Sequence, residues 1–420
     1  MPVEQLLSIL TCPHCWHEFR ATELRSVAEH VGLMGDAVAG ATEPLRFLPS
    51  RFDAVGRAID PMGVVCSRYA CPRCHLEIPA LALEAKQTIL SIVGAPASGK
   101  SVMLAATTFA MRSGMVVPGL EFVDADPTLN ELTRELERSL FRADAPDRPA
   151  MVERTDAGFG ERTYRRFRTG DAEYLAPRPQ IFSIRRGGVQ RLLCLYDNAG
   201  EHFMPGRDTP SAPVTRHLSA SQAIIFVVDP TQDRRVQDRL GDPDLVLERG
   251  GGGWDVHSPD VVLIEAANRI RKTRKMSTSD GIRIPTIIAL TKADLWAREL
   301  LAEERASNPW RSEEHPGIAM PPLAHLDRVH EACLRFLRST MPELVATARA
   351  IDPAFRFVPL SALGQPPLRR EFVEGGSRCT IRPRDVQPAW PAGALVMALA
   401  AAEPSLLPEW RGGVQEPVGA

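Results

Sequence analysis

Apolar residues along this chain fall into short dense runs, separated by stretches in which they recur at helical spacing. Thr88–Ala95 (TILSIVGA), Ala223–Val228 (AIIFVV), Thr286–Leu290 (TIIAL) and Phe355–Leu360 read as strands buried on both faces. Gln180–Arg185 and Gln190–Tyr196 are two more strand-like runs with Gly187-Gly188 between them, which predicts a hairpin. Lys100–Ser113 reads as a helix. Leu129, Leu132, Leu136 and Leu140 repeat at helical spacing behind Asp126-Pro127, a capping residue followed by a proline suited to a first turn. Val261–Lys275 predicts a helix with a basic end, and residues 325–350 read as helical. Strands alternating with helices predict an α/β domain with a mainly parallel sheet, one antiparallel hairpin and helices on both faces. Residues 143–176 are polar and Arg-rich and read as a long loop, and 240–258, around Gly250–Gly253, as a flexible excursion.

Composition narrows the class. The 420 residues are 44% hydrophobic and 24% charged with a net charge of −2, an ordinary globular balance that gives no general pull toward nucleic acid or anionic membranes. No apolar run reaches the ~18 residues of a membrane span. The N-terminus lacks the basic and apolar regions of a secretory signal, so a cytoplasmic chain is expected. Five of the eight cysteines precede residue 75, and Cys194, Cys333 and Cys379 are scattered, which is metal-site spacing and not a disulfide framework.

Gly94-Ala95-Pro96-Ala97-Ser98-Gly99-Lys100-Ser101 matches G-x-x-x-x-G-K-[ST] between a predicted strand and a predicted helix. The chemistry asks for these residue types. Glycines let backbone N–H groups curl around phosphates, and the helix N-terminus adds a favourable dipole. Lys100 is placed to reach the β- and γ-phosphates, and Ser101 to offer a hydroxyl to Mg²⁺.

Three further motifs follow at the ends of predicted strands. Asp197-Asn198-Ala199-Gly200 is a D-x-x-G in which Asp197 can hold Mg²⁺, usually through water, and the Gly200 N–H can meet a γ-phosphate. Thr291-Lys292-Ala293-Asp294 offers a carboxylate for guanine N1–H and the 2-amino group, with the Lys292 stem over the base; adenine lacks that donor pair. Ser361-Ala362-Leu363 stands where a backbone contact to the guanine oxygen belongs. Each motif alone reads better as an ordinary feature: Asp197–Gly200 as a strand-ending turn, Thr291–Asp294 as a helix start with a capping Thr, and Ser361–Leu363 as a common Ser-Ala turn. Together they sit at strand C-terminal ends, where open α/β sheets bind ligands.

On these four motifs the chain resembles the translation-factor-like (TRAFAC) class of P-loop GTPases, and more narrowly the bacterial double-GTPase type of domain found in conflict or signalling systems. The resemblance covers about residues 88–400. It implies a Mg²⁺-dependent GTP switch closed by a helix over Val386–Ala402. Many such proteins carry Gln or His directly after D-x-x-G to orient the attacking water. Here Glu201 stands at that position, followed by His202, so the implied catalytic set is Lys100, Glu201 and His202, with slow turnover without a partner. Thr155, Thr163 and Thr169 all stand where a switch threonine could lie, and for each one a solvated loop residue is the better reading.

Cys12-Pro13-His14-Cys15 and Cys71-Pro72-Arg73-Cys74 are two C-x-x-C turns, the donor set of a zinc ribbon, here 55 residues apart. A segment inserted over 16–70 is therefore expected. Cys66 is a substitute ligand, and His14 and His75 read as exposed or outer neighbours of the site. Four cysteines leave no open position for water, so the zinc is read as structural. Arg269, Arg271, Lys272, Arg274 and Lys275 read as a solvated helix face.

The expected organisation is a zinc module over 1–85, a GTPase domain over 86–404 and a disordered tail over 405–420. The expected activity is GTP binding and hydrolysis with Mg²⁺, with GTP/GDP, Mg²⁺ and Zn²⁺ as ligands, a protein effector as partner, and neither nucleic acid nor membrane. The rival is a scaffold that binds GTP or GDP with negligible turnover and docks a partner through its ribbon. A nucleotide-regulated nucleic-acid binder is a third reading, disfavoured by the near-neutral charge.

Overall fold

The computed structural model describes residues 6–153, 164–169, 172–197, 216–241, 258–277, 280–300, 317–366, 368–373 and 376–410. In it the apolar runs pair into one seven-stranded sheet. Its strands are β1 (Gln87–Gly94), β2 (Glu121–Asp124), β3 (Gln180–Arg186), β4 (Val189–Asp197), β5 (Ala223–Val228), β6 (Thr286–Leu290) and β7 (Arg356–Pro359), in the order β2-β3-β4-β1-β5-β6-β7. β3 alone runs against its neighbours, and β4, β1, β5, β6 and β7 are parallel. The β3–β4 turn is Gly187-Gly188, with φ of +55° and +79°, left-handed angles that a two-residue hairpin needs and glycine supplies without strain.

Every residue of β5 and β6 is buried, so both faces of the sheet are covered there. The covering helices are α1 (Lys100–Arg112), α2 (Glu131–Phe141), α3 (Arg216–Ala220), α4 (Arg234–Leu240), α5 (Pro259–Arg274), α6 (Ala293–Leu300), α7 (Leu323–Thr340), α8 (Pro342–Ile351) and α9 (Gly393–Ala402). α9 is apolar nearly all round and packs on β5, β6 and β7. This is the mostly parallel α/β sheet, with one antiparallel hairpin, expected of a P-loop nucleotide fold.

Several local expectations shift. Asp126 does not cap α2. Its Oδ1 accepts the N–H groups of Thr128 (2.9 Å) and Leu129 (3.2 Å) in a turn, and the helix starts at Glu131. Asn130, at the N-cap position, uses its side chain on β3 instead, donating to the Ile181 carbonyl (2.9 Å) and accepting the Ile181 N–H (2.8 Å). The region 143–176 is not simply a loop. Tyr164–Thr169 pairs with Ala172–Pro177, and Ala150–Glu153 joins Gly376–Ile381, itself paired with Arg369–Val373. The last helix begins at Gly393, after a short 3-10 turn over Pro383–Asp385. The chain stays packed beyond residue 405: Trp410 is buried and donates Nε1–H to the Pro321 carbonyl (3.0 Å). In the basic stretch of α5, Arg269 is buried and pairs with Glu265 at 2.8 Å, while Arg271, Lys272, Arg274 and Lys275 stay near the surface.

The sheet serves two cores. On β4, Leu193 and Leu195 enter the main core, while Leu192, Cys194 and Tyr196 face the other way into a second cluster containing Cys12, Cys15, Phe19, Cys71, Cys74 and Ile78. The two-residue period of a strand makes the division. The cysteine module thus covers the sheet where a helix would otherwise lie. The turns close through Ile9–Thr11 against Glu18–Arg20, and through a four-stranded sheet formed by Arg25–Val27, Arg46–Phe47, Tyr69–Ala70 and Glu77–Ile78. The inserted segment is therefore folded, with Asp60 organising it by accepting the N–H groups of Glu29, His30, Met62 and Val64.

His330 on α7 supports β7. Its Nδ1 accepts the Phe357 N–H at 3.0 Å, and burial, followed by the Arg356 charge, holds its pKa below the ordinary value. A depressed histidine pKa means that the unfolded chain takes up the proton first. The contribution is therefore whole above the ordinary histidine pKa and is lost as pH falls below it. Denaturant midpoints measured from pH 7.5 to 5 should fall more steeply for wild type than for His330→Gln, which keeps an acceptor but does not titrate.

Candidate functional site

The loop Gly94–Ser101 emerges from the C-terminal end of β1, between β4 and β5, where the connections on the two sides diverge. Gly94 is needed for space. A Cβ there would lie 2.4 Å from the Val227 carbonyl oxygen on β5. Gly99 has φ of +87° at the N-cap of α1, and Ala97 takes φ of +59°, a left-handed angle that costs a non-glycine residue about 1 kcal/mol. Lys100 is buried, with Nζ donating to the carbonyls of Gly94 (3.0 Å) and Ala95 (2.9 Å). Ser101 follows in the first turn of α1.

The other motifs converge on this loop. Thr291, at the end of β6, donates Oγ1–H to the Ser98 carbonyl (2.8 Å), and its own N–H goes to Val228 (2.8 Å). The third motif is therefore bolted to the first. Asp294 opens α6 and accepts the Ser361 hydroxyl at 2.5 Å, and Ser361 Oγ in turn accepts the Gly364 N–H (2.7 Å). Ala362 and Leu363 complete that loop, held by the Gln387 N–H on the Leu363 carbonyl (2.8 Å). Burial lifts the Asp294 carboxyl above its ordinary range, against the hydrogen bond from Ser361. Pro96 closes the loop on its other side, its carbonyl receiving Gln232 Nε2 at 3.4 Å.

Lys292 adopts φ of +53°, and its Nζ pairs at 2.5 Å with Oδ2 of Asp229, a fully buried carboxylate at the end of β5. Oδ1 of Asp229 accepts the N–H (3.0 Å) and the hydroxyl (2.6 Å) of Thr231. Sequence reasoning treated Asp229-Pro230 as a strand end only. An acidic residue closing a fully apolar strand, at the edge where ligands bind, is the signal that could have singled it out.

Asp197 ends β4 beside the loop. Burial pushes its carboxyl up to about 6, with the Lys100 charge opposing the rise. Its Oδ1 is buried and has no hydrogen-bond partner among the described residues, and the same holds for Ser98 Oγ. Unsatisfied buried oxygens in a phosphate-type loop fit a site built to receive a ligand with a cation. Gly200, Glu201, His202, Thr155 and Thr163 lie outside the described residues, as does the side chain of Thr169.

The cysteines of the second core fit a metal. Cys12 Sγ lies 3.7 Å from Cys74 Sγ, Cys15 Sγ lies 3.7 Å from Cys71 Sγ, and all four sulfurs are within 4.8 Å of one another. A tetrahedron with Zn–S bonds of ~2.3 Å needs edges of about 3.8 Å. The backbone N–H groups of His14 and Arg73 each donate to a sulfur at 3.3 Å. Hydrogen bonds from the other three thiols hold Cys71 well below the usual thiol range, while burial lifts Cys12 and Cys74 above it. A divalent cation offsets this resistance and lets all four serve as thiolates. The cage is buried and closed. Cys66 is not in it. Of the two readings for His14 and His75, exposed or outer neighbours of the site, exposure does not hold, since both are buried. His14 Nε2 bonds the Glu77 carbonyl at 2.8 Å, and His75 Nδ1 bonds Asp36 at 2.7 Å.

No protein-family model matches the chain, and no curated protein matches it. Among solved structures it is similar to the bacterial selenocysteine-specific elongation factor EF-Sec, at 11% identity and TM-score 0.22 over 66% of this chain and 26% of that one. It is also similar to the Ski7 GTPase-like domain of S. cerevisiae bound to GTP, at 13% and 0.23 over 70% and 48%. A third is the signal recognition particle receptor SRb-GTP/SRX complex of Chaetomium thermophilum, at 13% and 0.23 over 67% and 94%. The chain spans about a quarter of the first of these and about half of the second. At scores this low the likeness carries no weight, and the fold rests on the strand order and loop geometry above. No helix among the described residues is long and apolar enough to cross a membrane.

Purified protein should contain one zinc per chain by elemental analysis, and Cys71→Ser should lose it with a fall in thermal midpoint. Gly94→Ala should keep zinc but lose about 1–3 kcal/mol of stability in denaturant titration, because the Val227 carbonyl has to move.

Proposed function

We propose that this chain binds a guanine nucleotide with Mg²⁺ and hydrolyses GTP as a regulatory switch. One observation carries the reading: three of the loops that such a nucleotide needs are joined by direct bonds, Thr291 to Ser98 and Ser361 to Asp294, at the edge of the sheet where Asp197 also ends its strand. Gly94, Ala95, Pro96, Ala97, Ser98 and Gly99 supply the phosphate-holding backbone, and Lys100 the positive charge. Asp294 accepts from guanine N1–H and the 2-amino group, Ser361, Ala362 and Leu363 form the loop toward the guanine oxygen, and Lys292 lies over the base. Ser101 and Asp197 are the residues that would hold Mg²⁺, which when bound neutralises charge on the phosphates. Gly200 meets the γ-phosphate, and Glu201 or His202 orients the attacking water.

Sequence supports slow intrinsic turnover, since an acidic residue replaces the usual Gln or His after the D-x-x-G glycine. A protein partner docking through the cysteine module is part of the same proposal. Zinc in the cysteine cage holds this module folded.

The test is GTP and ATP affinity together with multiple-turnover GTP hydrolysis. Lys100→Ala should weaken GTP binding by about 10- to 100-fold and abolish turnover, as expected for the loss of a charge-assisted bond to phosphate. Asp294→Asn should cost about tenfold or more in preference for GTP over ATP. Tight GTP binding without turnover would replace the switch by a nucleotide-dependent docking protein. Equal affinity of wild type for ATP and GTP would sink the guanine assignment.

A further inference from the structure

The cysteine module and the candidate Mg²⁺ position meet at one residue. Tyr196 is the last residue of β4 before Asp197 and is completely buried. Its hydroxyl donates to the carbonyl of Pro13, inside the Cys12–Cys15 turn, and accepts Trp16 Nε1–H at 3.2 Å. Trp16, directly after Cys15, takes φ of +55°, so its indole is aimed by the backbone of the turn itself. The Tyr196 ring stacks on His217 of α3 at 5.0 Å and 12°, and His217 Nδ1 bonds Ser91 Oγ of β1. A second tie holds the same turn to the sheet, from Gln87 Nε2 at the start of β1 to the Thr11 carbonyl (2.7 Å).

These contacts have a direction. The Cys12–Cys15 turn is carried by two strands of only three residues each, Ile9–Thr11 and Glu18–Arg20. Its shape comes from the cage, and the cage from what four sulfurs hold. The Pro13 carbonyl and the Trp16 indole are therefore where the cage requires them, and Tyr196 bridges both. A peptide unit separates Tyr196 from Asp197, and β4 is held in register with β1 through Tyr196↔Ser91 and Asp197↔Ile92. The last peptide of the strand is thus shared by Tyr196, tied to the Cys12–Cys15 turn, and Asp197.

We propose that Tyr196 is a positioning residue through which metal in the cysteine cage sets the Asp197 carboxylate, making Mg²⁺-nucleotide binding dependent on the cage being filled. The proposal rests on the reading of Asp197 as the Mg²⁺-binding position. Linkage makes the coupling reciprocal: whatever zinc does for Mg²⁺-nucleotide affinity, Mg²⁺-nucleotide does for zinc affinity by the same factor.

The experiment measures zinc affinity by competition with a chromophoric chelator, for wild type and Tyr196→Phe, with and without saturating Mg²⁺ and GDP. Mg²⁺ half-saturation of GDP binding is measured beside it for zinc-loaded and zinc-stripped protein. Tyr196→Phe keeps the ring and its stacking and deletes one hydroxyl. In wild type, Mg²⁺-GDP should raise zinc affinity about five- to tenfold, the scale of one or two well-placed hydrogen bonds, and stripping zinc should raise the Mg²⁺ requirement by the same factor. In Tyr196→Phe both factors should fall close to one while circular dichroism and GDP binding at saturating Mg²⁺ persist. Trp16→Phe, which leaves the tyrosine–Pro13 bond, should retain most of the coupling. Equal coupling in wild type and Tyr196→Phe overturns the proposal. So does a wild type that binds GDP with no effect on zinc. A wild type that binds no nucleotide overturns the guanine reading first, visibly and without any variant, and the coupling falls with it.

Discussion

A strand buried on both faces has to be covered twice, and the strand Val189–Asp197 is covered by two different cores. Leu193 and Leu195 pack into the main α/β interior, while Leu192, Cys194 and Tyr196 pack on a module built around four cysteines. Much of the molecule follows from that alternation. The cysteine module takes the place of a covering helix, its folding is tied to that of the sheet, and the strand that carries Asp197 is shaped from both sides. Fully burying side chains of this size stabilises by about 1.5–3 kcal/mol each, so neither face of the strand can be left bare.

The candidate nucleotide site is a second consequence of the same sheet. Parallel strands direct their C-terminal ends to one edge, and β1 sits between neighbours reached by connections on opposite sides, which opens a crevice there. The loops in that crevice are short and polar, and few could hold their shape alone. They are instead held by one another: Thr291 fixes the Ser98 carbonyl, Ser361 fixes Asp294, and Asp229 fixes Lys292. Each of these bonds joins a residue of one motif to a residue far away in sequence. Such preorganisation lowers the ordering cost of binding, and it also means that a substitution in one loop is felt in the next.

The cysteine cage is a closed site. All four sulfurs are buried, and two backbone N–H groups point at them. A metal there has no open coordination position and contributes by folding the module rather than by chemistry. Tyr196 bonds the Cys12–Cys15 turn at the Pro13 carbonyl and directly precedes Asp197 in its strand.

The sequence by itself determined the parts that depend on local pattern. Apolar runs and Gly-Gly located six of the seven sheet strands, since a strand buried on both faces has no polar positions to spare. The run from Gly94 to Ser101 announced its own geometry, because only glycine tolerates the approach of Val227 at Gly94. The two C-x-x-C turns named their four donors. The long-range contacts were decided only by the tertiary structure. The strand Ala150–Glu153 finds its partner more than two hundred residues away, so its Arg-rich surroundings read as loop. Asn130 bonds the Ile181 backbone of β3 instead of capping a helix in the usual way, Asp229 becomes the partner of Lys292, and Tyr196 meets Pro13 across 183 positions. No periodicity encodes such pairings. A side chain's role there is set by which polar group lies opposite it after folding, and a buried polar group must find that partner wherever in the chain it falls.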